Sequence, residues 1–268
     1  MGAAGALAGR GPRLVLALAV AAALCLGAAL ARAAEVTPQG NLQVAVAAKM
    51  RPQALPRTGA APIAVSVGGH ITTTDGTYPP QLQTLTIEIN RHGRLEYAGL
   101  PLCPLAKIKL ASTEHALSAC HSSLVGQGTF YSNIVLKGEP PYPSKGRLLV
   151  FNGREGSHQV LFGHIYVLQP FATSFVITFQ IKNAHGTYGT ALIADVAKAL
   201  GNWGYLTGIE MTLSRRYTYH GARRSYLSAG CPAPKGFPSV NFPLARTSFR
   251  FPHNTLTSTL VRRCDVRS

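Results

Sequence analysis

Beyond residue 40 the chain consists of short runs in which apolar and polar residues alternate, cut at close intervals by glycine, proline, asparagine and aspartate. Leu42-Val44-Val46, Ile63-Val65-Val67 and Leu85-Ile87-Ile89 each place apolar side chains on every second residue. Successive side chains of a strand point to opposite faces, so this period of two predicts half-buried strands rather than helices. Ser174 to Ile181 (SFVITFQI), dense in Val, Ile, Thr and Phe, reads as a buried strand. Asp75-Gly76, Asn152-Gly153 and Pro252-His253-Asn254 mark turns, and after His92-Gly93 the stretch Arg94 to Tyr97 is expected to return as a hairpin partner. Leu206 to Tyr217 and Arg223 to Ala229 each read as one strand.

Helical signals are few. Ser112 is placed to cap a short helix ending at Cys120, and Ile193 to Leu200 has room for one or two turns. Gly126 and Gly128 suggest a bulge or a close backbone crossing. Long helices alternating with strands, the mark of a parallel sheet, are missing. About eleven β segments at regular spacing predict an all-β fold, an antiparallel β-sandwich of immunoglobulin-like or Greek-key type with one or two short helices. Residues 34–268 are expected to form a single sandwich domain. The alternative is two small sandwiches divided near 138–146, where Pro140, Pro141 and Pro143 stiffen the chain.

The amino terminus reads as a leader. Arg10 and Arg13 precede a charge-free apolar run from Leu14 to Ala31, and Ala31-Arg32-Ala33 has the small-x-small form of a cleavage site. Residues 1–33 are therefore expected to be a signal peptide cut after Ala33, with an uncleaved anchor as the competing reading. Cys25 follows the bulky Leu24, which argues against lipid attachment there. No later segment is apolar enough to span a bilayer as a helix, so an exported chain, secreted or held at the cell envelope, is expected.

Export leads to an oxidising compartment, and four cysteines remain after the leader: Cys103, Cys120, Cys231 and Cys264. No cysteine stands between Cys120 and Cys231, which favours the local pairs Cys103–Cys120 and Cys231–Cys264 among the three connectivities that four cysteines allow. The spacing fits neither a zinc site nor a Cys-x-x-Cys redox pair.

Several blocks of residues carry a resemblance. Asp75-Gly76-Thr77-Tyr78-Pro79-Pro80, Gly99-Leu100-Pro101-Leu102-Cys103, Leu149-Val150-Phe151-Asn152-Gly153 and Arg224-Ser225-Tyr226-Leu227-Ser228-Ala229 with Cys231-Pro232 stand in an order and spacing similar to a group of secreted proteins of high-GC bacteria. That group carries no assigned function. The resemblance covers about residues 40 to 268 and implies a secreted β-sandwich; it brings no catalytic or ligand set with it.

Charge is the remaining signal. The whole chain has 26 basic and 10 acidic residues, a formal charge of +16. Arg10, Arg13 and Arg32 leave with the leader and no acid does, so 23 basic and 10 acidic residues remain, a formal +13. With so few acids, mechanisms that need paired carboxylates or a carboxylate-rich calcium site are poorly supplied. An Asp195/His220/Ser225 hydrolase lacks the nucleophile elbow, and Gly126-Gln127-Gly128 lacks the third glycine of a dinucleotide loop. No catalytic residue, metal ligand or cofactor is therefore assigned. The basic residues concentrate towards the carboxyl end, where Arg215, Arg216, Tyr217, Arg223 and Arg224 are the expected contacts for an anionic partner: a surface, a wall polymer or nucleic acid. A structural or subunit-interaction protein of the outer surface and a secreted hydrolase are the other readings. The plainer account of the same arginines is a solvated face whose side-chain stems cover apolar surface.

Overall fold

The computed structural model describes residues 34–201 and 203–267. The expected leader, residues 1–33, lies outside them. Eighteen strands follow one another: β1 (Glu35–Gln39), β2 (Leu42–Arg51), β3 (Ala54–Leu55), β4 (Ala61–Pro62), β5 (Ala64–Thr73), β6 (Thr84–Asn90), β7 (Gly93–Leu95), β8 (Leu124–Ile134), β9 (Tyr142–Glu155), β10 (His158–Val167), β11 (Thr173–Asn183), β12 (Tyr188–Asp195), β13 (Gly204–Leu213), β14 (Arg216–Tyr219), β15 (Ala222–Ser225), β16 (Leu227–Ala229), β17 (Ser239–Arg250) and β18 (Thr255–Val266). Two short α-helices accompany them, α1 (Thr113–Cys120) and α2 (Val196–Leu200). The all-β expectation holds.

The two-layer sandwich does not. Thirteen strands make one continuous sheet in the order β1-β2-β5-β13-β8-β9-β10-β11-β12-β6-β17-β18-β3, antiparallel except for the short β18–β3 pair. This sheet curls on itself instead of splitting into two facing layers. At the far end β18 comes back against β1 and β2. There Arg262 donates from Nε to the Ala48 carbonyl (2.7 Å) and from Nη1 to Glu35 (3.1 Å), in place of a backbone ladder. The result is an open, strongly curled sheet.

Bulges and glycines explain the curl. Register shifts interrupt β8–β9 at Leu124/Gly126, β12–β6 at Tyr188/Thr190, β13–β8 at Leu206/Gly208 and β17–β18 at Pro243/Ala245. Each extra residue bends its strand and raises the local twist. At Gly128 the neighbouring strand lies so close that a Cβ would stand 1.8 Å from the Glu210 carbonyl oxygen. The glycines at 126 and 128 thus do what their sequence context predicts.

Alternation decides which face is which. Val44, Val46 and Ala48 on β2, Phe130 on β8, Leu148 and Val150 on β9, Ile165 on β10 and Leu192 on β12 belong to one buried core inside the curl. The outer face of β9 and β10 carries a second, smaller core of Leu149, Phe151, Val160 and Phe162. Helix α1 and the Cys103–Cys120 disulfide cover it, with Ser112 accepting from the His115 amide (3.3 Å) as the helix begins. The second disulfide joins Cys231 to Cys264. Both local pairings are as the spacing predicts.

One end of the curl, where β6 finishes and β5 begins, is overlaid by a three-stranded sheet, β4-β16-β7. This corrects the expectation of a local hairpin: β7 pairs with Leu227–Ala229, not with β6. The reading of 206–217 and 223–229 as one strand each is corrected too. Leu206/Gly208 is bulged, β13 stops at Leu213, and the chain then makes the separate hairpin β14–β15 before entering β16. No helix among the described residues is long and apolar enough to cross a membrane.

Candidate functional site

The β14–β15 hairpin carries most of the arginines singled out in the sequence, and its register sorts them. Arg216 faces Ser225, Tyr217 faces Arg224, Thr218 faces Arg223 and Tyr219 faces Ala222. Because faces alternate, Arg216 and Arg223 share one side of the ribbon while Tyr217, Tyr219 and Arg224 share the other. Arg215 precedes the hairpin half-buried, with a buried Nε that meets no partner. The five predicted contacts therefore do not form one face.

What gathers instead is a groove under the tyrosine side of the hairpin. The Tyr217 hydroxyl bonds the carbonyls of Glu96 (3.1 Å) and Ala98 (3.0 Å), pinning the ribbon to the segment after β7. Burial, with Glu96 adding to it, raises the Tyr217 pKa, so this phenol stays a neutral donor. Gly99, at φ +80°, lies under the Tyr219 ring, where a Cβ would come within 2.0 Å of it. Tyr226, behind the hairpin, is completely buried.

The opposite wall comes from the turn between β6 and β7. The Asn90 side chain accepts from the His92 amide (3.0 Å) and donates to the Pro243 carbonyl (2.8 Å), while the Arg91 amide reaches Thr187 (3.0 Å). This fixed turn presents Arg91 and Arg94. Together with Arg224, Tyr217, Tyr219 and Glu96 they line a groove of about 520 Å³.

Among the described residues one carboxylate, that of Glu96, lines the groove. Glu96 accepts from the Ser228 hydroxyl (2.6 Å) and stands 3.8 Å from Arg224 Nη1. Among the described residues neither Arg91 nor Arg94 meets a carboxylate. Elsewhere the excess arginines are partly neutralised. Arg246 holds Glu88 (Nη2 2.9 Å) and lies 4.9 Å from the Tyr188 ring centre, Arg262 holds Glu35, and Arg263 holds Asp265. Glu88 is therefore tied to Arg246 on a half-covered face.

Arg91 and Arg94 were not among the sequence candidates. In sequence they flank a His-Gly turn and look like ordinary turn arginines; their meeting with Arg224 depends on β7 pairing with β16.

Asp195, His220 and Ser225 do not assemble. Asp195 caps α2 by accepting from the Lys198 amide (2.9 Å), and α2 follows the end of β12 away from the hairpin. The Ser225 hydroxyl is buried on the Arg215 carbonyl (3.3 Å), and His220 sits at the hairpin tip with φ 49°. No group of three or more His, Cys, Asp or Glu residues suited to a metal occurs among the described residues. Comparison with models of known protein families, with curated proteins and with solved structures returns no match.

Proposed function

We propose that this chain is an exported, non-catalytic binding protein whose ligand presents a negatively charged group to the groove between the β6–β7 turn and the β14–β15 hairpin. The observation that carries the reading is the convergence of Arg91, Arg94 and Arg224 on one groove that holds a single carboxylate. A guanidinium has a planar fork of donors matched to phosphate and carboxylate oxygens, and an unpaired one on a rigid turn loses little freedom on binding. The leader-like start of the sequence and the likeness to secreted proteins support export. The all-β frame supplies rigidity, and the curled sheet takes the place of the sandwich in this reading.

Calorimetric titration with inorganic phosphate and with a short polyphosphate tests it. Binding is expected to weaken steeply between low and high salt, as it does when arginines replace counterions. Arg94→Gln and Arg224→Gln are each expected to lower affinity about tenfold, in line with the loss of one charge-assisted hydrogen bond. Arg216→Gln and Arg223→Gln, on the far side of the ribbon, are expected to change it little. Salt-independent binding, or equal losses on both sides of the hairpin, would remove the groove from consideration.

A further inference from the structure

Inside the curl, directly below the groove, the core is incompletely filled. A cavity of about 120 Å³ lies between β5–β13 and β6–β17, and its walls are apolar side chains, among them Val67, Ile87, Ile209, Met211 and Ala245. Four of them, Val67, Ile87, Ile209 and Met211, are only partly covered although they point to the interior of the sheet. Protein interiors normally close such space, because an empty apolar cavity forfeits contacts on every wall. A dry apolar cavity of similar size, about 150 Å³, is large enough to admit a benzene-sized molecule.

A glycine stands in the wall of this space. Gly69 alternates with Val67 and Ile71 on the inner face of β5, and a Cβ there would make only ordinary contacts, 3.8 Å from Ile209 and 3.9 Å from the Ala45 carbonyl. A larger residue would fit this strand position and fill part of the void.

The cavity and the groove are neighbours that share part of their lining. Gly93 and Arg94 line both, and Gly93 adds no side chain to the wall between them. We infer that the ligand is amphipathic: a linear alkyl tail enters the apolar cavity past Gly93 while its phosphate or carboxylate head stays on Arg91, Arg94 and Arg224. This rests on the anion-binding reading above and adds the tail to it. A polymer with no apolar part would leave the cavity unused.

The test is a chain-length series of n-alkyl phosphates, from methyl to octyl, titrated below micelle formation, with inorganic phosphate and n-octanol as controls. Each methylene that enters the cavity is expected to raise affinity about fourfold, and the gain is expected to stop after roughly four or five carbons, when the cavity is full. Octanol, lacking the head group, is expected to bind at least tenfold more weakly than octyl phosphate. Gly69→Val is expected to raise the melting temperature of the unliganded chain and to flatten the series while leaving inorganic phosphate binding as it was. Ala245→Leu serves as a second filling variant if the first does not fold. Phosphate binding with no dependence on chain length would overturn the tail site and leave the anion site standing. No binding of inorganic phosphate or of any alkyl phosphate would overturn both. A steep series that Gly69→Val and Ala245→Leu leave unchanged would place the tail elsewhere and overturn the inference, as would octanol binding as tightly as octyl phosphate.

Discussion

His164 shows how much one side chain's setting differs from its position in sequence. It lies in β10 six residues after His158, on the same side of the strand, yet His158 is exposed and His164 is fully buried beneath the α1 cover. Its Nε2 pairs with the Ala111 carbonyl at 2.9 Å, which fixes Nε2 as the protonated nitrogen of a neutral ring. Burial lowers its pKa from the usual 6.5, partly opposed by that hydrogen bond. The folded state therefore resists the second proton that the unfolded chain accepts. Stability attributable to this group is complete above the unfolded value and declines as pH falls from about 7 towards 5, because the unfolded state then binds more protons. Denaturant unfolding at a series of pH values is expected to show that decline, and His164→Asn to flatten it. A slope identical in both proteins would mean that other groups set it.

Helix α1 is an element that does not stand alone. At eight residues it is below the length at which helices persist in water, and it carries only Thr113, Ala116 and Cys120 as buried positions. It persists because Cys120 is tied to Cys103, which itself bridges to Gly153 at the end of β9. The disulfide closes a loop of 17 residues, worth about 3 kcal/mol on the chain-entropy account. Replacing both Cys103 and Cys120 by alanine is expected to destabilise the chain by about 2–4 kcal/mol and to raise hydrogen exchange first in residues 103–120. The interior core belongs to other elements, so exchange in β2 and β5 is expected to change only as far as overall stability does. Equal early loss of protection everywhere would mean that α1 is part of the main cooperative core. The β14–β15 hairpin has a similar dependence on its neighbours: two short strands hold their place through the Tyr217 bonds to Glu96 and Ala98.

At the scale of the whole molecule the decisive feature is the closeness of strands in the curl. Gly128 lets β8 pass the Glu210–Met211 backbone of β13, where any Cβ would overlap backbone atoms that have nowhere to go. Gly128→Ala is expected to shift the main sheet and lower stability by about 1–3 kcal/mol, read as a lower denaturant midpoint with an unchanged slope. Gly69→Val, on the same sheet but beside the cavity, is expected to move the midpoint the other way. Opposite signs from two glycine substitutions in the strands on either side of β13 would separate a crossing that needs its glycine from a cavity that an added side chain fills. If both substitutions destabilise alike, the cavity is tighter than its walls suggest.

The period-two alternation determined by itself that the chain is all-β, and the gap between Cys120 and Cys231 determined which cysteines are near. Glycines 126 and 128 announced a close crossing, and Ser112 announced the start of α1. These are local properties: strand pitch, capping and loop length act over a few residues, or over one closed loop. Whether the strands form two facing layers or one curled sheet was not legible, because inward and outward residues alternate identically in both. Nor was the groove. Arg91 and Arg94 meet Arg224 only because β7 leaves its neighbour β6 and pairs with β16, more than a hundred residues further on. The cavity beneath depends on the same closure, since its walls come from strands that only the curl brings face to face. Sequence sets what each segment does with its own neighbours; the tertiary structure decided which distant side chains share a space, because burial rewards the assembled sheet and not any one strand.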